Sequence, residues 1–300
     1  MRTTARARTV SISPRTYRVV TLFALLALAF IIVTGAAVRL TGSGLGCSDW
    51  PNCEPGSLVA PLEYHAMIEF VNRMVTGLVS MAVIAAVLGS ILRRPRRRDL
   101  VYLSLGLVAG VVAQIVLGGL TVLFELRPPF VMGHFLLSMV LVWNAVVLHY
   151  RAGKPDGPPR RAVSGRLLTR ARVVLALTAV VVFTGTVVTA SGPHGGDEDA
   201  QRFSFELPDV TRIHAGAVIL LVIVLLTTAW LESRDSGRER LVPAARTLLL
   251  LLLAQATVGY VQYFNELPPV LVGIHVAGAV AIWSTAVFLH ERCFTREPAP

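Results

Sequence analysis

The sequence predicts an all-α integral membrane protein in which eight transmembrane helices form two repeated four-helix bundles, with both termini cytoplasmic. Three observations predict it. The chain is 54% hydrophobic and 15% charged, with a mean hydropathy of +0.65, which lies outside the range of ordinary soluble domains. Its apolar residues gather into runs long enough to cross a hydrocarbon layer of about 30 Å. Its second half also repeats its first: Gln114, Gly118, Glu125, Leu126, Pro128 and His134 recur at Gln255, Gly259, Glu266, Leu267, Pro269 and His275, shifted by 141 positions without a gap.

Helix one is expected over 18–38 and helix two over 66–92, where Glu69, Asn72 and Arg73 interrupt the outer end but 74–92 remains apolar. Helices three and four, over 100–124 and 130–150, are joined by an acidic, proline-bearing turn at Glu125. Helices five and six follow over 172–190 and 210–231, and helices seven and eight over 245–263 and 270–290 are joined by the repeat of that turn at Glu266. Thr34, Gly35 and Gly42 match Thr184, Gly185 and Gly192 at an offset of 150, and the same comparison sets Asn72 of helix two opposite His214 of helix six. The expected organisation is a basic flank (1–17), an N-terminal half (18–150), a basic linker (151–171), a C-terminal half (172–290) and a tail (291–300). Parallel repeats imply halves related by an axis along the membrane normal, with sites at corresponding places in each.

Charge fixes the orientation, because cytoplasmic segments near helix ends collect Arg and Lys. Arg2, Arg6, Arg8, Arg15 and Arg18 precede helix one, and Arg93, Arg94, Arg96, Arg97 and Arg98 follow helix two. Arg151, Lys154, Arg160, Arg161, Arg166, Arg170 and Arg172 lie between helices four and five, and Arg234, Arg238, Arg240 and Arg246 mark the third inner loop. The opposite loops carry Asp49, Glu54, Glu63, Glu125, Asp197, Glu198, Asp199, Glu206, Asp209 and Glu266. Attraction to anionic lipid headgroups accounts for the formal charge of +10 without a nucleic-acid partner. The first eighteen residues, rich in Arg, Ser and Thr and free of acids, also fit a mitochondrial transit peptide. Their direct run into helix one favours a retained flank in a bacterial plasma membrane. Cys47 and Cys53 share the first outer loop, where an oxidising compartment allows a disulfide, two unpaired thiols being the alternative. Cys293 falls on the inner side and should stay reduced.

His134, His214 and His275 sit near the outer ends of helices four, six and eight, at one depth. A lone histidine there is usually interfacial, but three at repeat-related positions argue for a duplicated metal or heme site. A four-helix bundle can present two neutral imidazoles to one iron. His149 and His290 end helices on the inner side and read as caps, while His194 sits in an outer loop facing either a propionate or water. Glu69 shares a helix face with Asn72 at a spacing of three. A carboxylate there is costly unless it works, and low dielectric suits it to exchange a proton near neutral pH. An ion pair with Arg73 is the structural alternative. Arg73 and Arg212 flank the ligand positions and suit propionates, or serve as snorkelling anchors.

These residues carry a resemblance. VTGAAVRLTGSGLGCSDWPNC after helix one, IEFVNR in helix two, QIVLGGLTV in helix three and GHFLLS in helix four, with VVTASGPHGGD, RIHAG and LVGIHVAGA in the second half, make the chain resemble the heme A synthase family of bacterial cytochrome oxidase assembly. The resemblance implies an oxidoreductase that oxidises the C8 methyl of heme O to a formyl group by successive hydroxylations. It implies a heme b cofactor in the C-terminal half on His214 and His275, and substrate heme O in the N-terminal half near His134, Asn72 and Arg73. It assigns the catalytic carboxylate to Glu69 and the cysteine pair to Cys47 and Cys53. The heme O synthase (a farnesyltransferase) and the cytochrome oxidase assembly pathway are the implied partners.

One departure matters. The family pattern in helix two is E-x-x-H-R, and this chain has Asn72 where the histidine stands. Asn is a poor iron ligand, so the substrate iron is expected to be five-coordinate or to take a small exogenous ligand, with Asn72 as a hydrogen-bonding wall. His65 is a candidate substitute but lies about 10 Å nearer the outer surface at 1.5 Å per residue. The sequence holds no flavin, nicotinamide or iron–sulfur motif, so a separate electron donor is expected. A di-heme membrane cytochrome b electron carrier is the alternative reading, which Asn72 disfavours. A transporter suits the repeats but not helices whose polar residues gather at one face.

Overall fold

The computed structural model describes residues 11–57, 59–231 and 237–297. Arg2, Arg6 and Arg8 of the basic flank, Arg234 of the third inner loop and residues 298–300 of the tail lie outside them.

Eight helices in the described residues are long and apolar enough to cross a membrane. They are α1 (Pro14–Leu40), α2 (Tyr64–Leu92), α3 (Arg98–Leu123), α4 (Pro128–Ala152), α5 (Gly165–Ser191), α6 (Leu207–Leu231), α7 (Arg238–Phe264) and α8 (Pro269–Glu291). Each runs beyond its apolar stretch at one end or both, for local reasons. Ser13 accepts a hydrogen bond from Thr16 N at 3.1 Å and Pro14 follows it, so α1 starts upstream of its apolar run. Ser164 likewise accepts from Leu167 N at 3.2 Å, so α5 begins inside the segment expected as linker. Arg166, Arg170 and Arg172 break the apolar run without opposing helix formation. The rest of the linker is not all irregular: β1 (Pro159–Arg161) pairs antiparallel with β2 (Phe294–Arg296), so the tail returns to the linker.

The repeated turns are alike in detail. Glu125 and Leu126 have φ of 50° and 56°, and Glu266 and Leu267 have 61° and 58°. Leu126 N donates to Thr121 O at 2.8 Å, and Leu267 N donates to Gln262 O at 2.8 Å, closing the ends of α3 and α7. Left-handed backbone costs a non-glycine residue roughly 1–2 kcal/mol, offset here where Leu126 is buried against the backbone of Gly44 and Gly196. These turns bring His134 and His275 back beside the helices that precede them.

Three apolar clusters organise the bundle. One joins α1 to α4 through Tyr17, Leu28, Val83, Leu107 and Leu148. A second joins α5 to α8 through Leu167, Leu221, Leu248 and Ala286. A third, containing Ile32, Val142, Val182 and Val287, packs α1, α4, α5 and α8 against one another. Trp283 Nε1 donates to Met139 O at 2.7 Å across this seam. At the end carrying the basic loops, buried Arg93 pairs with Asp156 at 2.6 Å, Arg97 with Asp99 at 2.7 Å and Arg151 with Glu291 at 2.9 Å. Cys293 is free and buried there, its thiol pushed up to about 11 by burial and then by Glu291.

Candidate functional site

The opposite ends of the helices carry the chemistry-bearing residues. The loop after α1 is closed by a disulfide between Cys47 and Cys53, with a Cα–Cα distance of 4.4 Å. It is seated on the start of α2 by Gly46, where a Cβ would lie 2.3 Å from His65 O, so only glycine permits the approach. Glu69 reaches out of α2 to fix it. Its Oε2 accepts from Cys47 N at 2.9 Å, and its Oε1 accepts from Arg73 Nε at 3.1 Å and from a second Arg73 nitrogen at 2.5 Å. The Glu69 and Arg73 side chains are 7% and 11% exposed. The remaining Arg73 nitrogen donates to the carbonyls of Asp49, Pro51 and Asn52, and the guanidinium lies over the Trp50 ring at 4.8 Å. Trp50 in turn rests on Gly119 of α3, where a Cβ would lie 2.6 Å from its Nε1. Glu69 and Arg73 thus act as one unit that holds the disulfide loop across α2 and α3.

His134 and His275 occupy the same cage in each half. A Cβ built on Gly118 would lie 3.3 Å from His134 Cε1, and one on Gly259 would lie 3.3 Å from His275 Cε1. Gln114 donates to His134 O at 3.1 Å, and Gln255 donates to His275 O at 2.5 Å. Both Nδ1 atoms are buried without a hydrogen-bond partner. An orphaned buried polar atom costs about 1–3 kcal/mol, so these rings stand where burial gains them nothing by hydrogen bonding.

The positions that the repeat aligns on α2 and α6 differ between halves. In the second, Thr184 Oγ1 meets His214 Nδ1 at 3.0 Å while lying within bonding distance of the Val180 and Val181 carbonyls. With the hydroxyl proton on a carbonyl, Nδ1 would carry the imidazole hydrogen and leave the Nε2 lone pair free, the tautomer an iron requires. In the first half Thr34 Oγ1 donates to Asn72 Oδ1 at 2.8 Å, the same pairing with an amide in place of the imidazole. Gly35 and Gly185 register the change: a Cβ on Gly185 would lie 3.2 Å from His214 Cε1, whereas one on Gly35 meets nothing within 4 Å. His65 is exposed and bonded to Ser43 Oγ at 3.0 Å, away from this position.

The donor set fits a heme. Among the described residues no group of three or more His, Cys, Asp or Glu is placed to hold a bare metal ion. Two imidazoles suffice only when the metal brings its own equatorial ligands, as a porphyrin iron does.

The roles of Thr184 and the two glutamines needed the fold, although their recurrence in both halves was the available signal. His194 proves to be a latch: its Nε2 meets Leu267 O at 2.7 Å, and its own carbonyl accepts from Arg39 Nε at 2.6 Å. Arg39 also donates to Thr189 O at 3.0 Å, which ties the end of α1 to the last turn of α5 as well as to the loop after it. Arg212 is largely exposed and pairs with Asp209 at 2.9 Å. His149 meets Thr21 Oγ1 at 3.1 Å, and His290 lies beside Glu291 at the inner end.

The chain is similar to known proteins. A family model described as cytochrome oxidase assembly protein (COX15-CtaA) matches residues 18–64 and 59–193. A heme A synthase from Listeria welshimeri is 27% identical over 281 residues, covering 88% of this chain and 89% of its own. Those from Shouchella clausii and Bacillus licheniformis are 28% and 25% identical, covering 91% and 81% of this chain and 95% and 84% of theirs.

Proposed function

The chain belongs to the cytochrome oxidase assembly family, and from that membership we propose that it is a heme A synthase, a multi-pass bacterial plasma-membrane oxidoreductase converting heme O to heme A. One observation carries the reading. The same histidine cage stands in both halves, but the positions that the repeat aligns on α2 and α6 hold an amide in one half and an imidazole in the other. A site that keeps its heme benefits from two strong ligands. A site that must accept heme O and release its product benefits from one.

In this reading His214 and His275 would hold heme b in the C-terminal half, and His134 would hold heme O in the N-terminal half. Asn72, fixed by Thr34, would line the substrate site where a second imidazole is missing. Bound heme supplies the redox chemistry that an inert methyl group demands. The protein orients and insulates. Glu69 is the buried carboxylate at this end and manages protons there, while Arg73 is a positioning residue that holds Glu69 and the disulfide loop in register. Electrons come from a separate donor, and heme O from the heme O synthase upstream. A di-heme electron carrier would need matched ligation in the two halves, which Asn72 does not provide.

The test is expression of the chain with a heme O source, followed by chromatography and mass analysis of the extracted hemes. Heme A or its hydroxylated precursor is expected from the wild type, with loss in His134→Ala. Retained heme O with no oxidised product from the wild type contradicts the enzyme reading.

A further inference from the structure

The inner ends of four helices enclose a second site, remote from the histidines. Arg18 of α1, Lys154 after α4, Arg240 of α7 and Arg292 after α8 line a cavity of about 280 Å3 together with Tyr150 and Phe288. Lys154, Arg292 and Arg18 each reach it with a contact of their own. The Lys154 ammonium lies 4.5 Å from the centre of the Tyr150 ring, and the Arg292 guanidinium 5.7 Å from that of Phe288. Arg292 Nε also donates to Arg240 O. Arg18 crosses the end of α4 at Gly153, where a Cβ would lie 2.9 Å from its Nε.

These charges differ from several other arginines at this end. Arg93, Arg97, Arg151 and Arg296 each have a carboxylate partner. Among the described residues, none of the four cavity cations has one. Glu291, the nearest buried acid, is engaged by Arg151. The Lys154 ammonium is held below its usual range by burial and by Arg292, Arg240 and Arg18. Four unneutralised cations converging on one cavity are self-repelling, and an anion relieves that repulsion.

The cavity continues into an apolar groove. A space of about 320 Å3 shares His149, Phe288 and Arg292 with it and runs along Leu25, Val146 and Ala244 between the two halves. Leu25 lies seven residues into α1 from Arg18, about 10 Å deeper into the membrane at 1.5 Å per residue. A polar head at the surface above an apolar channel toward the bilayer interior is the outline of a phospholipid.

We propose that this is a binding site for one anionic phospholipid of the cytoplasmic leaflet, its phosphate among Arg18, Lys154, Arg240 and Arg292 and an acyl chain in the groove between α1, α4, α7 and α8. The lipid spans the seam between the halves and holds their inner ends together. A soluble phosphate satisfies the same cations but leaves the groove unfilled.

Full-length protein purified in detergent is titrated with phosphatidylglycerol, with phosphatidylcholine of the same chains and with inorganic phosphate, binding being read by native mass spectrometry. Retention of phosphatidylglycerol over phosphatidylcholine is expected. The double variant Lys154→Gln/Arg292→Gln should bind it about 30-fold more weakly, since each cation near a membrane surface contributes about 1 kcal/mol. The double variant Arg15→Gln/Arg166→Gln, which removes exposed inner-face charges elsewhere, should bind as the wild type does. In the wild type, phosphatidylglycerol with a photoreactive tail should label the groove beside Leu25, Val146 or Ala244. Equal retention of the two lipids, equal weakening in both double variants, or displacement by inorganic phosphate without tail labelling each overturns the proposal.

Discussion

Replacing Glu69 separates its two roles, anchoring a loop and managing a proton. The Ala variant removes the acceptor of Cys47 N and the counter-charge of Arg73, both deeply buried. Stranding one member of a buried ion pair costs about 3–5 kcal/mol, and orphaning the Cys47 amide adds about 1–3 kcal/mol. The Gln variant keeps the shape and one acceptor oxygen but removes the charge, so its cost should lie nearer the lower bound. Both costs fall on the disulfide loop and α2, which share no apolar cluster with α5 to α8. We therefore expect Glu69→Ala to open the loop to limited proteolysis while leaving the heme b spectrum of the C-terminal half unchanged. Glu69→Gln should keep the loop protected and still yield no heme A in the extracted-heme assay. Wild-type product from Glu69→Gln would refute the proton role, and a loop as protected in Glu69→Ala as in the wild type would refute the anchoring role.

Other substitutions probe the asymmetry between halves. Asn72→His should convert the substrate-loaded N-terminal site to a low-spin, bis-imidazole spectrum, because Thr34 already stands where Thr184 orients His214 and space is open beside Gly35; electron paramagnetic resonance reads the change, and product formation should slow with it. Thr184→Val should weaken heme b retention by about 10-fold or more, the usual effect of removing a partner that orients a metal ligand, measured by pigment loss on dilution in detergent. With its thiol pushed up to about 11, Cys293 is un-ionised at neutral pH, so maleimide should label it only after unfolding or toward strongly alkaline pH.

Much of this was legible in the chain because bilayer-spanning helices must be long, apolar and internally hydrogen-bonded. All eight helices fall where the apolar runs place them, and their ends differ where capping or charge decides. Ser13 and Ser164 start helices among polar residues that a hydropathy pattern discounts. The three-residue strands β1 and β2 form through pairing between distant segments, which no local pattern reports. At the site, the repeat matched His134 with His275 and Asn72 with His214, and the structure gives Asn72 and His214 the repeat-related partners Thr34 and Thr184. What the sequence left open were contacts between loops. Arg73 reads equally as a propionate ligand or an ion-pair partner until its neighbours are known, and the fold directs it to Glu69 and three loop carbonyls. His194 likewise takes its meaning from Leu267, far away in sequence.

The account depends on imidazole ligation of a porphyrin in each half, and one spectrum tests it directly. Protein purified and reconstituted with hemin should show bis-imidazole heme b, and the double variant His214→Ala/His275→Ala, folded as judged by its helical circular dichroism, should lose that signal. A wild type that stays colourless, or a double variant that keeps the same signal, contradicts the account.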